Sequence, residues 1–260
     1  MQRRDFLASL GFGGYSLLVF ADDGPSAVEA AEVSKDQMLR EFAKVAPPDG
    51  QRIAAPHEPH MAQVDLTCDV FIAGGGMAGV CAAVAAARNG AKVVLVQDRS
   101  RLGGNASSEV KMHIVGANSR NPGWREGGLI EEFRLDDAAN NPQRCWELWD
   151  LLLYDKCVSE PNITLLLDTV LFAVDKKDDA ITAAYARCDK SEHIYRITSK
   201  IYMDATGDSR LALEAGAEMR YGRESRSEFG EPLAPVEKDK ETMGSSILFT
   251  SRDYGKPMPF

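Results

Sequence analysis

The stretch from Cys68 to Gly79, Cys-Asp-Val-Phe-Ile-Ala-Gly-Gly-Gly-Met-Ala-Gly, limits what this chain can become more than any other. Val70, Phe71 and Ile72 form the short apolar run of a buried parallel strand. Gly74, Gly76 and Gly79 then set G-x-G-x-x-G at the mouth of a helix. The first glycine permits a tight turn, the second leaves no side chain to hold a pyrophosphate away, and the third lets the helix lie close on the strand. Val80 to Asn89 is almost all alanine and small apolar residues, suited to close packing on a sheet, and Gly90 occupies the usual helix stop. Lys92 to Val96 gives a second strand and completes a βαβ unit. An anion at the turn would meet unpaired backbone N–H groups and the positive end of the helix dipole. The stretch therefore reads as a dinucleotide-binding turn, with Gly74, Gly75, Gly76, Met77, Ala78 and Gly79 around the phosphates.

At the end of the second strand such a unit normally offers an acid to the ribose hydroxyls, and here Gln97 is followed by Asp98. Gln97 can make neutral hydrogen bonds to a ribose; Asp98 either reaches it or starts the loop. Both are ribose candidates.

A hydrophobic fraction of 44% suits one ordinary domain with a core. A net charge of -9 and the lack of a basic stripe with interleaved aromatics argue against nucleic acid as a partner. The N-terminus stands apart. Arg3-Arg4-Asp5-Phe6-Leu7, an apolar run to Phe20 interrupted by Gly11, Gly13 and Gly14, and small residues around Ala27 to Ala31 resemble a twin-arginine export signal. The apolar run is shorter than the roughly 20 residues that span a bilayer. The expectation is a signal over residues 1–31, cut near Ala30 or Ala31, with the twin-arginine export machinery as a partner and a periplasmic or extracellular destination. Left uncut, the signal would tether the protein to the membrane.

Residues 32–66 read as a linker: Asp36 to Val45 can form a short amphipathic helix, and Pro47, Pro48, Pro56 and Pro59 interrupt any regular element beyond it. His57 and His60 in that stretch lack companion ligands and read as solvated, so no metal site is expected. Cys68, Cys81, Cys145, Cys157 and Cys188 include no C-x-x-C pair and read as buried thiols; their odd number leaves at least one unpaired.

Past the second strand, Gly103-Gly104 lets backbone approach a ligand from the other side, and Asn105 and Ser107 add hydrogen-bonding groups. Gln143 to Ser159 reads as an amphipathic helix with Trp146, Trp149, Leu153 and Cys157 on one face. Ile163 to Leu167 gives a third strand. Val170 to Asp175, Ala180 to Cys188 and Glu192 to Ser199, separated by short polar breaks, read as an antiparallel insert over residues 169–199. Ile201 to Asp204 then returns to the main sheet and enters Ala205-Thr206-Gly207-Asp208.

This order of elements, together with Val96 to Glu109 and the Ala-Thr-Gly-Asp strand end, resembles the FAD-binding domain of glutathione-reductase-type flavoproteins. Within them it is closest to the FAD-dependent oxidoreductase group that includes the flavin subunit of heterodisulfide reductase. The resemblance implies an α/β fold: a Rossmann-like parallel sheet with a three-stranded antiparallel insert, the FAD-binding domain covering residues 67–223. It implies that Gly74, Gly76 and Gly79 cradle the pyrophosphate and that Gln97 or Asp98 faces the ribose. Gly103, Gly104 and Asn105 would line the pyrophosphate and flavin side, and Gly207 and Asp208 would approach from the returning strand. Asp208 has a competing structural role as cap of a helix starting at Ser209. Some relatives attach flavin through a histidine near the position of Asn105, which cannot do so, and the expectation is non-covalent FAD. An iron-sulfur cluster belongs to some members of the group, but the cysteine spacing here does not support one.

Flavin chemistry needs a base where hydride leaves. His113 and Lys111 are the titratable candidates nearest the Ser107 loop, and Arg120 and Arg125 are candidates for holding an anionic substrate. Residues 224–260 read as the start of a substrate domain, with a strand beginning in Met243 to Ser251, so the chain is expected to be a fragment of a longer flavoprotein. The expected activity is hydride transfer from a small organic substrate to FAD, with an unidentified electron acceptor. The alternatives are a non-catalytic remnant of an FAD domain and an NAD-linked dehydrogenase.

Overall fold

In the computed structural model, residues 61–114, 127–244 and 252–258 are described. The expected signal, the linker as far as residue 60, Arg120, Arg125 and most of the strand expected at Met243 to Ser251 lie outside them.

The apolar run before the glycines forms β1 (Ala62–Ala73), and the alanine-rich stretch after them forms α1 (Met77–Arg88). β2 (Val93–Val96) is buried along its whole length, as a strand covered on both faces must be. A single 3-10 turn at Gly104–Ala106 leads toward α2 (Leu129–Asn140), α3 (Trp146–Val158) and β3 (Ile163–Leu166). Then come β4 (Val170–Lys177), β5 (Ala180–Cys188), β6 (His193–Asp204) and the short helices α4 (Arg210–Glu214) and α5 (Arg226–Phe229).

The strands form one sheet in the order β3-β2-β1-β6-β5-β4. The β3, β2, β1 and β6 ladders are parallel, and β6–β5 and β5–β4 are antiparallel. Side chains alternate across the parallel part. Ile72, Val93 and Leu95 face one core with Val80, Val84, Phe133, Trp149 and Leu153 from the helices. Phe71, Ala73, Val94 and Val96 face a second core with Leu171, Val174, Ala184 and Ala186 from β4 and β5. The antiparallel strands, with Leu211 of α4, thus cover the face of the parallel sheet opposite α1, α2 and α3, giving three layers.

Two boundaries differ from the sequence expectation. β1 starts at Ala62, so residues 62–66 pair with His193 to Ile197 of β6 and are not tether. Residues 193–199 and 201–204 are not two strands either: β6 runs unbroken through Lys200. Its first half pairs with β5 on one side while its whole length pairs with β1 on the other. Polar Ser199 and Lys200 fit inside it because its pairing with β5 stops at the Ala184–Ile197 pair, beyond which β5 pairs only with β4, leaving that edge of β6 unpaired.

Candidate functional site

Three backbone turns meet at the C-terminal ends of the parallel strands. The first is residues 74–79, between β1 and α1. Gly74 has φ +100°, and a Cβ there would lie 2.4 Å from the Ala205 carbonyl oxygen. A Cβ on Gly79 would lie 1.9 Å from the Gly74 carbonyl oxygen, so only glycine lets α1 sit this close to the turn. Gly76 differs: a Cβ there would meet no atom within 4 Å. Gly76 is also the N-cap of α1 and makes no side-chain cap. The first intrahelical bond is from Val80 N–H to Gly76 O, so the amides of Met77, Ala78 and Gly79 have no acceptor within the helix. Open space therefore adjoins a row of donors at a positive helix end, the arrangement that binds phosphate groups.

The second turn follows β2. Gly103 pairs with Gly76 as a parallel bridge and donates its N–H to Gly75 O at 2.8 Å. Helix α3 holds this turn from behind. Trp149, buried, donates its indole N–H to Ala106 O at 2.8 Å, and the buried Asp150 carboxylate accepts Ser108 N–H at 2.9 Å and lies 3.4 Å from Arg101. Leu153 packs where a Cβ on Gly103 would be, at 2.9 Å. The third turn, Ala205 to Asp208, is tied to the first by the bond from Ala205 N–H to Ala73 O at 2.7 Å. Gly207 is exposed, with nothing within 4 Å of a Cβ position.

Gln97 is 5% exposed and turned inward: its Oε1 accepts Gly75 N–H at 2.7 Å and its Nε2 donates to Arg101 O at 3.1 Å. Asp98 is exposed and lines an open hollow of about 430 Å³ together with Phe172 and Val170. Lys190, which also lines it, is paired with Asp168 at 2.8 Å. The Ser107 hydroxyl also turns inward, donating to Gly104 O at 2.7 Å. Asp208 is exposed and does not cap the following helix, which starts at Arg210. That role falls to Thr206, whose Oγ1 accepts Arg210 N–H, and to Asp204, which accepts Ala212 N–H at 2.9 Å. Partial burial pushes the Asp204 carboxyl up, but bonds from the Ala212 and Thr206 amides and the Thr206 hydroxyl hold it below the usual carboxylate range.

Asn105 is exposed, and its carbonyl accepts Met112 N–H. Lys111, at φ +62°, donates its N–H to Ser107 O, so residues 105–113 fold back on themselves. That brings Lys111 and the exposed His113 beside the second turn, with His113 edge-on to Trp146 at 5.3 Å between ring centroids. The five cysteines are free thiols, and burial pushes Cys157 up to about 12. Among the described residues no group of three or more His, Cys, Asp or Glu could hold a metal ion, and no helix is long and apolar enough to cross a membrane.

Sequence reasoning missed Trp149 and Asp150 as supports of the second turn. They lie 43 and 42 residues from the backbone groups they hold, and no local pattern marks such a pairing.

The sequence profile of a family described as FAD dependent oxidoreductase matches residues 69–260. A fumarate reductase (cytochrome) of Shewanella frigidimarina is 32% identical over 139 residues, which are 54% of this chain and 19% of that protein. The match thus spans about a fifth of the relative's length. Among solved structures, adenylylsulfate reductase from Archaeoglobus fulgidus is 17% identical at a TM-score of 0.38, covering 57% of this chain and 31% of that one. A geranylgeranyl bacteriochlorophyll reductase-like protein from Thermoplasma acidophilum is 19% identical at a TM-score of 0.39, covering 60% and 43%.

Proposed function

Because this chain belongs to the FAD dependent oxidoreductase family, we propose that it is an exported FAD-dependent oxidoreductase, or the FAD-binding part of one, moving hydride from a small organic substrate to non-covalently held FAD. The observation that carries this reading is the space at Gly76. Cβ atoms on Gly74, Gly75, Gly79 and Gly103 would each strike an atom closer than 3 Å, whereas one on Gly76 would meet nothing within 4 Å, beside the outward amides of α1. A diphosphate fits a ledge of that shape and polarity. Asn105 is a carboxamide, which supports non-covalent binding; the cysteine spacing gives an iron-sulfur cluster no support.

FAD, when bound, supplies the hydride and electron chemistry. The chain supplies the rest. The α1 amides hold the phosphates, the Gly103-Gly104-Asn105 and Gly207-Asp208 turns bound the cleft, and His113, with Lys111 beside it, takes the substrate proton. Residues 1–31 are the export signal and 224–260 begin the substrate domain. The likeness to a fumarate reductase supports assaying reduction of unsaturated acids as well as oxidation.

The deciding experiment is to purify the chain and titrate it with FAD. A yellow protein, or saturable uptake of one FAD per chain, is the expected result. A colourless protein that refuses added FAD but takes up NAD favours the dehydrogenase alternative. His113→Ala in an active form should abolish most turnover while leaving bound flavin in place.

A further inference from the structure

We propose that Gln97 is a positioning residue, a neutral strut that sets the spacing between the two glycine turns bounding the phosphate ledge, and that it does not read the ribose. The inference rests on the FAD reading of the ledge and deepens it. The Gln97 side chain is 5% exposed and both of its polar ends are engaged within the chain. Its Oε1 accepts Gly75 N–H at 2.7 Å, in the first turn, and its Nε2 donates to Arg101 O at 3.1 Å, just before the second. Its own backbone is pinned to the sheet, its N–H donating to Leu166 O and its carbonyl accepting Thr169 N–H. Swinging the side chain outward would break both of its bonds, to Gly75 N–H and to Arg101 O.

A carboxamide donates and accepts at once whatever the pH. A carboxylate would still accept Gly75 N–H but would set a second buried oxygen against the Arg101 carbonyl, two acceptors face to face. Burial and that opposition would raise the pKa of the introduced carboxyl. Once protonated, it could make both bonds again. Gln97→Glu thus turns the strut into a pH-dependent one, intact at low pH and broken at high pH. A residue facing ribose hydroxyls would behave oppositely, since a carboxylate is the stronger acceptor for them.

The test compares wild type, Gln97→Glu and Gln97→Leu by FAD titration and, without FAD, by urea unfolding, at about pH 5 and about pH 8. The expected result is FAD binding at least about tenfold weaker than wild type for Gln97→Glu at the higher pH, recovering toward wild type at the lower one. Gln97→Leu should bind weakly at both. The unfolding midpoint of Gln97→Glu should fall relative to wild type as pH rises, with or without cofactor. Equal or tighter FAD binding by Gln97→Glu at the higher pH would overturn the proposal and assign Gln97 to the ribose. If wild type takes up no FAD, the FAD reading fails, and the strut is judged on the unfolding series: a midpoint difference that does not change with pH rejects it.

Discussion

Two glycines three residues apart should respond in opposite ways to the same methyl group. In Gly79→Ala the new Cβ would lie 1.9 Å from the Gly74 carbonyl oxygen, so α1 must move by about 3.0 − 1.9 = 1.1 Å to reach even the closest tolerated separation. The oxygen belongs to a backbone tied into the sheet, since Gly74 N–H donates to Val96 O at 2.9 Å. Overpacking of this kind costs about 1–3 kcal/mol, which for a chain of this size lowers Tm by roughly 2–12 °C. Gly76 has φ −63° and ψ 178°, a conformation alanine adopts freely. Losing glycine at an N-cap costs up to about 1 kcal/mol, and stiffening the unfolded chain returns about 0.4–1 kcal/mol, so Gly76→Ala should leave Tm nearly unchanged. Its methyl group would instead stand in the space assigned to the diphosphate and weaken FAD binding at least about tenfold. Thermal unfolding of the apo chain and flavin fluorescence titration measure the two effects separately. An unchanged Tm for Gly79→Ala, or an unchanged FAD affinity for Gly76→Ala, would refute the reasoning.

Other outcomes rest on the same geometry. Trp149→Phe strands the Ala106 carbonyl behind the second turn and should cost about 1–3 kcal/mol in urea unfolding. Arg88 and Lys156 beside Glu132 hold its carboxyl down at about 2, so the stability it contributes is full above the ordinary carboxylate range and is lost as pH falls through about 2. Unfolding midpoints between about pH 7 and about pH 3 should decline less steeply for Glu132→Gln than for wild type. Substituting Arg3 and Arg4 with Lys should retain the protein in the cytoplasm, read by cell fractionation; unchanged export would dismiss the twin-arginine reading.

The βαβ unit was legible because each of its features is local: an apolar run, glycines demanded by turn and contact, and an alanine-rich helix. The antiparallel strands were legible too, from short polar breaks between β-rich runs. The continuity of β6 was not, since Ser199-Lys200 reads as a break unless one knows that the β5–β6 ladder has already stopped beside it while β1 goes on pairing. Residues 63–68 alternate in exposure as a strand should, but proline-rich sequence just upstream suggested tether. Helix α2 buries only Phe133 and so lacks the apolar stripe that periodicity detects; its Glu132 is bound to Arg88 and Lys156 on two other helices. In the site, Gly74, Gly79 and Gly103 could be placed from sequence because backbone shape or close contact requires glycine there. The direction in which Gln97 and Ser107 point could not, because it depends on partners such as Gly75, 22 residues before Gln97.

The unbroken course of β6 means that the antiparallel layer is no detachable module. Excising residues 169–199 would cut away the half of the strand that lies against residues 62–68 and strip the cover from Phe71 and Val94. Exchange of amide hydrogens in the covering strands and in the parallel sheet should therefore slow and quicken together, as one cooperative block. Grafts between relatives are best joined outside it, before Ala62 and after Asp204.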